Sequence, residues 1–140
     1  ALFTAWRTAN ILPGWIPGFA GSTPQTMTFA RLFTAPASAY PAATFAQFNR
    51  AGDMTQTYYN SLGINGAEPL RQTLAANLWD IHHSVPNFYS YTVEGDIHCL
   101  LPRPEFSDFA ADGVSFRDWV AALVSGAPVP NVFPPGFGLE

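Results

Sequence analysis

Two strand-length segments, Thr44 to Phe48 and Phe88 to Val93, stand far apart in this chain, and the stretch between them carries its strongest helical pattern. That spacing is the tightest constraint in the sequence. Strands so separated are joined by a helical crossover and run parallel, whereas a hairpin needs only a short turn. The first segment ends at Asn49 and the Ala51-Gly52-Asp53 turn, after which Met54 to Leu62 reads as a helix with Asp53 at its capping position. A second helix starts near Pro69, a residue suited to a first helical position, and spaces Leu70, Leu74, Leu78, Ile81 and Val85 along one face. Pro86-Asn87 stops it, and Phe88 to Val93 follows as a strand rich in aromatic and β-branched residues. Beyond lies a loop, Glu94-Gly95-Asp96-Ile97-His98. A last helix is marked by Ser115 as cap, by Phe116, Trp119, Val120, Leu123 and Val124 on one face, and by Gly126 at its end.

Two strands do not make a stable sheet, so most of the sheet is expected outside these 140 residues. We therefore expect an α/β chain, either one domain over 1–140 or the C-terminal part of a larger α/β fold. Only 11% of residues are charged, about half the usual share, which suits faces covered by other chain. The six basic residues are all Arg against ten acidic ones, a net charge of −4, and no basic patch is present for nucleic acid or anionic lipid. No apolar run is long enough for a membrane span. Cys99 is alone, so neither a disulfide framework nor a thiolate metal cluster is expected, and no cofactor motif occurs. The start at Ala1 leads us to expect a processed or truncated product with any targeting signal upstream.

Residues 1–40 read as a loop-rich cap or pocket-lining segment. Leu2 to Ile11 could be a short helix, Leu12 to Pro24 is Pro/Gly loop, and Phe29, Leu32 and Phe33 suggest a short helix before Pro36. On that loop Trp15 and Phe19 are candidate substrate-pocket residues. Residues 128–140 form a Pro-rich tail, expected to be extended.

In open α/β sheets functional groups lie just past the C-terminal ends of strands, and Asp53 and His98 both stand there. A carboxylate that accepts the imidazole Nδ1 proton leaves Nε2 as a general base. Asp53 also has a structural reading as a helix cap, and His98 as a solvated loop residue. Asp96 reads as a turn former. No G-x-S-x-G elbow is present; Ser22 and Ser125 are its nearest approximations, and neither lies between a strand and a helix. The nucleophilic serine is thus expected on a companion chain or an N-terminal portion. His82 and His83, adjacent on a helix, point about 100° apart and make a poor metal pair; a role at the helix C-terminal dipole is expected instead. Cys99 is read as a small buried hydrophobe. Trp79 and Trp119 lie on or beside helix faces that need burial.

The block from Phe45-Ala46-Gln47-Phe48-Asn49 through Gly52-Asp53-Met54-Thr55-Gln56-Thr57-Tyr58-Tyr59 resembles the pectin acetylesterase family, as do Asn87-Phe88-Tyr89-Ser90-Tyr91 and Gly95-Asp96-Ile97-His98-Cys99-Leu100. Arg103-Pro104-Glu105-Phe106, Asp112-Gly113-Val114 and Arg117-Asp118-Trp119-Val120 are similar to the C-terminal stretch of its bacterial members, so the likeness runs from about Trp15 to about Val132. The resemblance implies the C-terminal part of an α/β-hydrolase-like three-layer fold with a mostly parallel sheet. It implies Asp53 as catalytic acid and His98 as base, an acylated carbohydrate or other small ester as substrate, and a secreted or cell-surface location. From a different class comes a second expectation, a non-catalytic structural or assembly subunit, homo-oligomeric or polymeric, that keeps the fold without the chemistry.

Overall fold

The computed structural model describes residues 2–61 and 69–139. Its framework is mixed α/β: α1 (Leu2–Ala5), α2 (Phe29–Ala39), β1 (Phe45–Arg50), α3 (Met54–Ser61), α4 (Leu70–Ser84), β2 (Phe88–Val93), β3 (Ala110–Ala111), β4 (Val114–Ser115) and α5 (Phe116–Ser125). β1 and β2 pair in parallel, from Phe45 opposite Phe88 to Arg50 opposite Val93, as the long crossover between them requires. The first strand runs two residues beyond its expected end, because Asn49 and Arg50 find partners in Thr92 and Val93. Leu62, the expected last residue of α3, lies outside the described residues.

Side chains alternate across the pleat, and the two faces receive different helices. Ala51 and Phe88 pack with Ala30 and Ala37 of α2 and with Leu74, Leu78 and Ile81 of α4. Each of those fully buried aliphatic side chains contributes up to about 1.5–3 kcal/mol, the reason the Leu70 to Val85 pattern forms a helix here. On the other face Tyr91 and Val93 meet Leu100, Phe116 and Trp119. Ser115 caps α5 by accepting the Asp118 N–H, and Gly126 ends it at φ 73°, in the left-handed region that suits glycine. Val124, expected on the apolar face, is exposed instead, one residue past Leu123 and turned away from the sheet.

Two further departures have physical causes. α2 continues through Pro36 to Ala39, although Pro36 cannot donate to the preceding turn. Packing overrides the break: Ala35 and Ala37 are buried, and the Asn87 side-chain amide donates to the carbonyls of Ala37 and Ala43 on either side of the helix end. A β3–β4 hairpin appears around Asp112 (φ 51°) and Gly113 (φ 73°), the two positive angles of a tight hairpin turn. The Pro-rich tail is tied in at Val132, which is buried and bridges Tyr91 in parallel; Thr92 N–H donates to its carbonyl at 2.8 Å and its own N–H donates to the Ser90 carbonyl at 2.9 Å.

At the N-terminus the expected helix is split into α1 and a 3-10 turn at Thr8–Asn10, and the Pro/Gly loop holds a second such turn at Pro17–Phe19. The loop lies on α2. Arg31 donates from Nε and Nη2 to the Gly18 carbonyl at 2.9 and 2.7 Å, and a Cβ on Gly18 would stand 2.6 Å from the Ala35 Cβ, so only glycine permits this approach. Phe19 is buried beside Phe3, Ile16, Met27 and Ala35. Among the described residues no helix is long and apolar enough to cross a membrane.

Candidate functional site

Where β1 and β2 end, their loops stay joined. The ladder continues from Ala51 N–H to the Val93 carbonyl (2.8 Å), from Gly52 N–H to Gly95 (3.0 Å) and from Met54 N–H to Asp96 (3.3 Å). Gly52 allows this closeness, since a Cβ there would lie 3.1 Å from the Gly95 carbonyl oxygen. Gly95 in turn sits at φ 115°, against the Arg50 guanidinium. Arg50 donates to the Glu94 carbonyl at 2.9 Å and lies 4.5 Å over the Phe109 ring, and Arg71 pairs with the Glu94 carboxylate. The second loop is thus held on both flanks.

This latch brings Asp53 to His98. The Asp53 Oδ2 and His98 Nδ1 are 2.7 Å apart, with the carboxylate side chain 1% exposed and the imidazole 49% exposed. An ionised carboxylate only accepts, so Nδ1 carries a proton, and in the neutral ring the lone pair is on Nε2. Oδ1 accepts the Gln56 backbone N–H at 2.9 Å, and the Gln56 side-chain amide donates to Oδ2 at 3.1 Å. Burial alone would raise the Asp53 pKa; the Gln56 N–H, His98 and the Gln56 amide outweigh it and hold the carboxyl below its ordinary value. Asp53 is therefore both things the sequence suggested, a cap through one oxygen and a histidine partner through the other.

Gln56 is the supporting residue that the sequence reading passed over. Its signal was present, because an N-cap acid followed three residues later by Gln is a capping-box pattern. The other candidates fall elsewhere. Trp15 is exposed to solvent and Phe19 is a core residue of the N-terminal cluster, while Trp6, Phe29, Phe33 and Tyr59 are among the residues that line a cavity next to Gln56. Asp96 contributes its backbone carbonyl to the latch. Cys99 is exposed, contrary to expectation, because the loop after His98 turns inward only at Leu100.

A second serine and histidine meet on the α4 face of the sheet, where His82 Nε2 lies 2.7 Å from the Ser90 Oγ. Ser90 is fully buried in β2, beyond the reach of any substrate, and burial with the His83 charge lowers the His82 pKa. His82 is thus a packed polar group against Phe88 and Phe133, and the expected helix-dipole role does not fit it. His83 sits closer to that role, hydrogen-bonding the Trp79 carbonyl at 2.8 Å and stacking on the half-exposed Trp79 ring. Trp119 is buried and donates from Nε1 to the Pro130 carbonyl at 2.8 Å.

Among the described residues no serine hydroxyl is hydrogen-bonded to His98. The Ser22 hydroxyl is buried in the N-terminal loop and Ser125 donates to the Ala122 carbonyl at a helix end. No cluster of three or more His, Cys, Asp or Glu suited to a metal ion occurs among the described residues. The arrangement can do one thing chemically: present an oriented, half-exposed imidazole as a proton acceptor to a group brought from outside. Comparison with protein families, with curated proteins and with solved structures finds no match to this chain.

Proposed function

We propose that this chain supplies the acid and the base of a serine ester hydrolase, with the nucleophile on a companion chain or an N-terminal portion. The observation that carries the reading is the 2.7 Å contact between buried Asp53 and half-exposed His98. In the reaction the external serine attacks the ester carbonyl, His98 Nε2 takes the hydroxyl proton and returns it to the leaving alcohol, and Asp53 holds the imidazole in its Nδ1–H form. Water then releases the acyl group by the same proton path. Gln56 keeps the carboxylate in place.

The resemblance to pectin acetylesterases makes an acylated carbohydrate, or another small ester, the substrate class, and a secreted or cell-surface enzyme the setting. An α/β-hydrolase-type three-layer fold agrees with helices on both faces of a parallel pair and with acid and histidine past adjacent strand ends. Among the described residues β1 pairs only with β2, so its far edge is where further strands would join. The second reading, a structural subunit, draws on the exposed apolar side chains of Ile11, Trp15, Met54, Tyr58 and Leu101.

The test takes the purified full material through intact-mass analysis, fluorophosphonate labelling and hydrolysis of a nitrophenyl acetate. A labelled companion polypeptide is expected, with His98→Ala lowering turnover by about a thousandfold or more while leaving the fold intact. Turnover retained in His98→Ala, or no labelling and no turnover at all, overturns the reading.

A further inference from the structure

Large apolar side chains stand in solvent around Asp53 and His98. Met54, Tyr58 and Leu101 are exposed by 69, 61 and 67%. Met54 follows Asp53 directly, and its N–H donates to the carbonyl of Asp96, two residues before His98. Tyr58 lies one turn further along α3, with its ring 5.5 Å from that of Tyr59, which in turn meets the exposed Trp6 at 5.9 Å. α3 itself, Met-Thr-Gln-Thr-Tyr-Tyr-Asn-Ser, has no charged residue. A helix whose outer face stays in water ordinarily carries charges there. Methionine and aromatic rings without charges are instead the composition of the core of a protein–protein interface.

We propose that this patch is the seat of the polypeptide that carries the nucleophilic serine, an inference that rests on the hydrolase reading above. The serine hydroxyl has to come within about 2.6–3.2 Å of His98 Nε2. A stable contact between polypeptides covers about 800 Å² on each side, a disc of roughly 16 Å radius. Centred on His98, that disc takes in Leu101, because three residues of chain span at most about 11 Å. It takes in Met54 and Tyr58 as well: Asp53 is 2.7 Å from the imidazole, and Tyr58 lies about 7.5 Å further along the helix axis. A polypeptide that delivers a serine to this base therefore covers the patch. A polysaccharide fits the aromatic residues less well, since successive rings are inclined at 73° and 66° and offer no common plane for stacking sugars. A second copy of this chain would bring another base and, without a G-x-S-x-G elbow, no nucleophile.

The experiment replaces Tyr58, Leu101 and, as control, Val124 singly by the photoreactive p-benzoylphenylalanine in the purified full material. Val124 is exposed on α5, which packs on the other face of the sheet from α4. Adducts are mapped by peptide mass spectrometry, so links within one polypeptide are read as well as links between two. Tyr58 and Leu101 are expected to capture the polypeptide that the fluorophosphonate labels, and Val124 to capture little of it. A yield from Tyr58 and Leu101 no greater than from Val124, or adducts with a second copy of this chain alone, would overturn the proposal and leave the hydrolase reading standing. With no labelled polypeptide at all, the reading and the proposal fall together. Tyr58→Lys gives a second measure, because a cation in the last turn of α3 suits the helix dipole and is tolerated in solvent. Beneath a partner the same charge is buried unpaired, and the Tm of the assembly should fall by about 4 °C or more. An unchanged Tm would place Tyr58 outside the contact and overturn the proposal.

Discussion

Replacing Asp53 by Asn separates two jobs that one carboxylate performs. In the native chain Oδ1 accepts the Gln56 N–H and Oδ2 accepts both His98 Nδ1–H and the Gln56 amide. An asparagine has a single acceptor oxygen and an NH2 group that only donates. If its oxygen faces Gln56, the cap survives, since Asn caps as well as Asp, but the NH2 then faces His98 and forces Nδ1 to become the acceptor. If the oxygen faces His98, the tautomer survives and the cap is lost, at about 1 kcal/mol. The bond to His98 is similarly modest, because half of the imidazole is in solvent, and relief of the buried charge offsets part of either loss. The expected net cost is about 1 kcal/mol, or a Tm lowered by about 4 °C for a chain of this size.

The pH dependence has a definite sign. Asp53 titrates in the folded protein below its ordinary 3.8, so its contribution is complete above that value and disappears as pH falls through the depressed folded pKa. The gap in stability between native and Asp53→Asn should therefore be widest near neutrality and close in acid. Urea unfolding at a series of pH values measures it, and nitrogen NMR of the His98 ring reports the tautomer directly. An unchanged Tm together with an unchanged tautomer would refute the argument that one oxygen cannot serve both donors.

Two further perturbations follow from buried polar groups. The Tyr91 hydroxyl donates to the Val114 carbonyl at 2.6 Å and accepts from Ala111 N–H at 2.9 Å, so Tyr91→Phe should cost about 1–3 kcal/mol in urea unfolding; an unchanged midpoint would mean that the hairpin does not depend on it. His82, with its pKa lowered chiefly by burial, stabilises the fold fully above its ordinary 6.5 and less as pH falls through its lower folded value, so stability should decline on mild acidification and His82→Gln should flatten that slope.

What could be read from the chain follows the strength of its local signals. α4 and β2 emerge where expected because the three- and four-residue spacing from Leu70 to Val85 and the aromatic run from Phe88 each coincide with the buried face. α2 was cut short at Pro36 because the rule about proline is local, whereas the packing of Ala35 and Ala37 that carries the helix onward is tertiary. The Asp112-Gly113 turn is a strong hairpin signal in itself, but two-residue strands leave no alternation to recognise. The approach of Asp53 to His98 could be anticipated from topology, since both follow parallel strands. Its support could not: the fit of Gly52 under the Gly95 carbonyl and the Arg50 clamp on Glu94 depend on register, which no single residue encodes.

Asp53 therefore says less about function than its burial suggests. A carboxylate that caps α3 and accepts the Gln56 amide would stabilise an inert scaffold as well as an active one. His98 differs. With half its side chain in water and its ring held by one bond, it contributes little to stability, and alanine there would cost the fold far less than at a packed residue such as Leu78. The loops that hold it are nevertheless tightly specified, with a glycine on each side and an arginine over the second. A half-exposed group on a rigidly prepared support makes sense if its position matters to something that approaches from solvent. Comparing the stability cost of His98→Ala with that of Gly52→Ala would measure the asymmetry: the glycine change should be the more damaging to the fold, and an imidazole that proved the stronger support would place His98 among the structural residues.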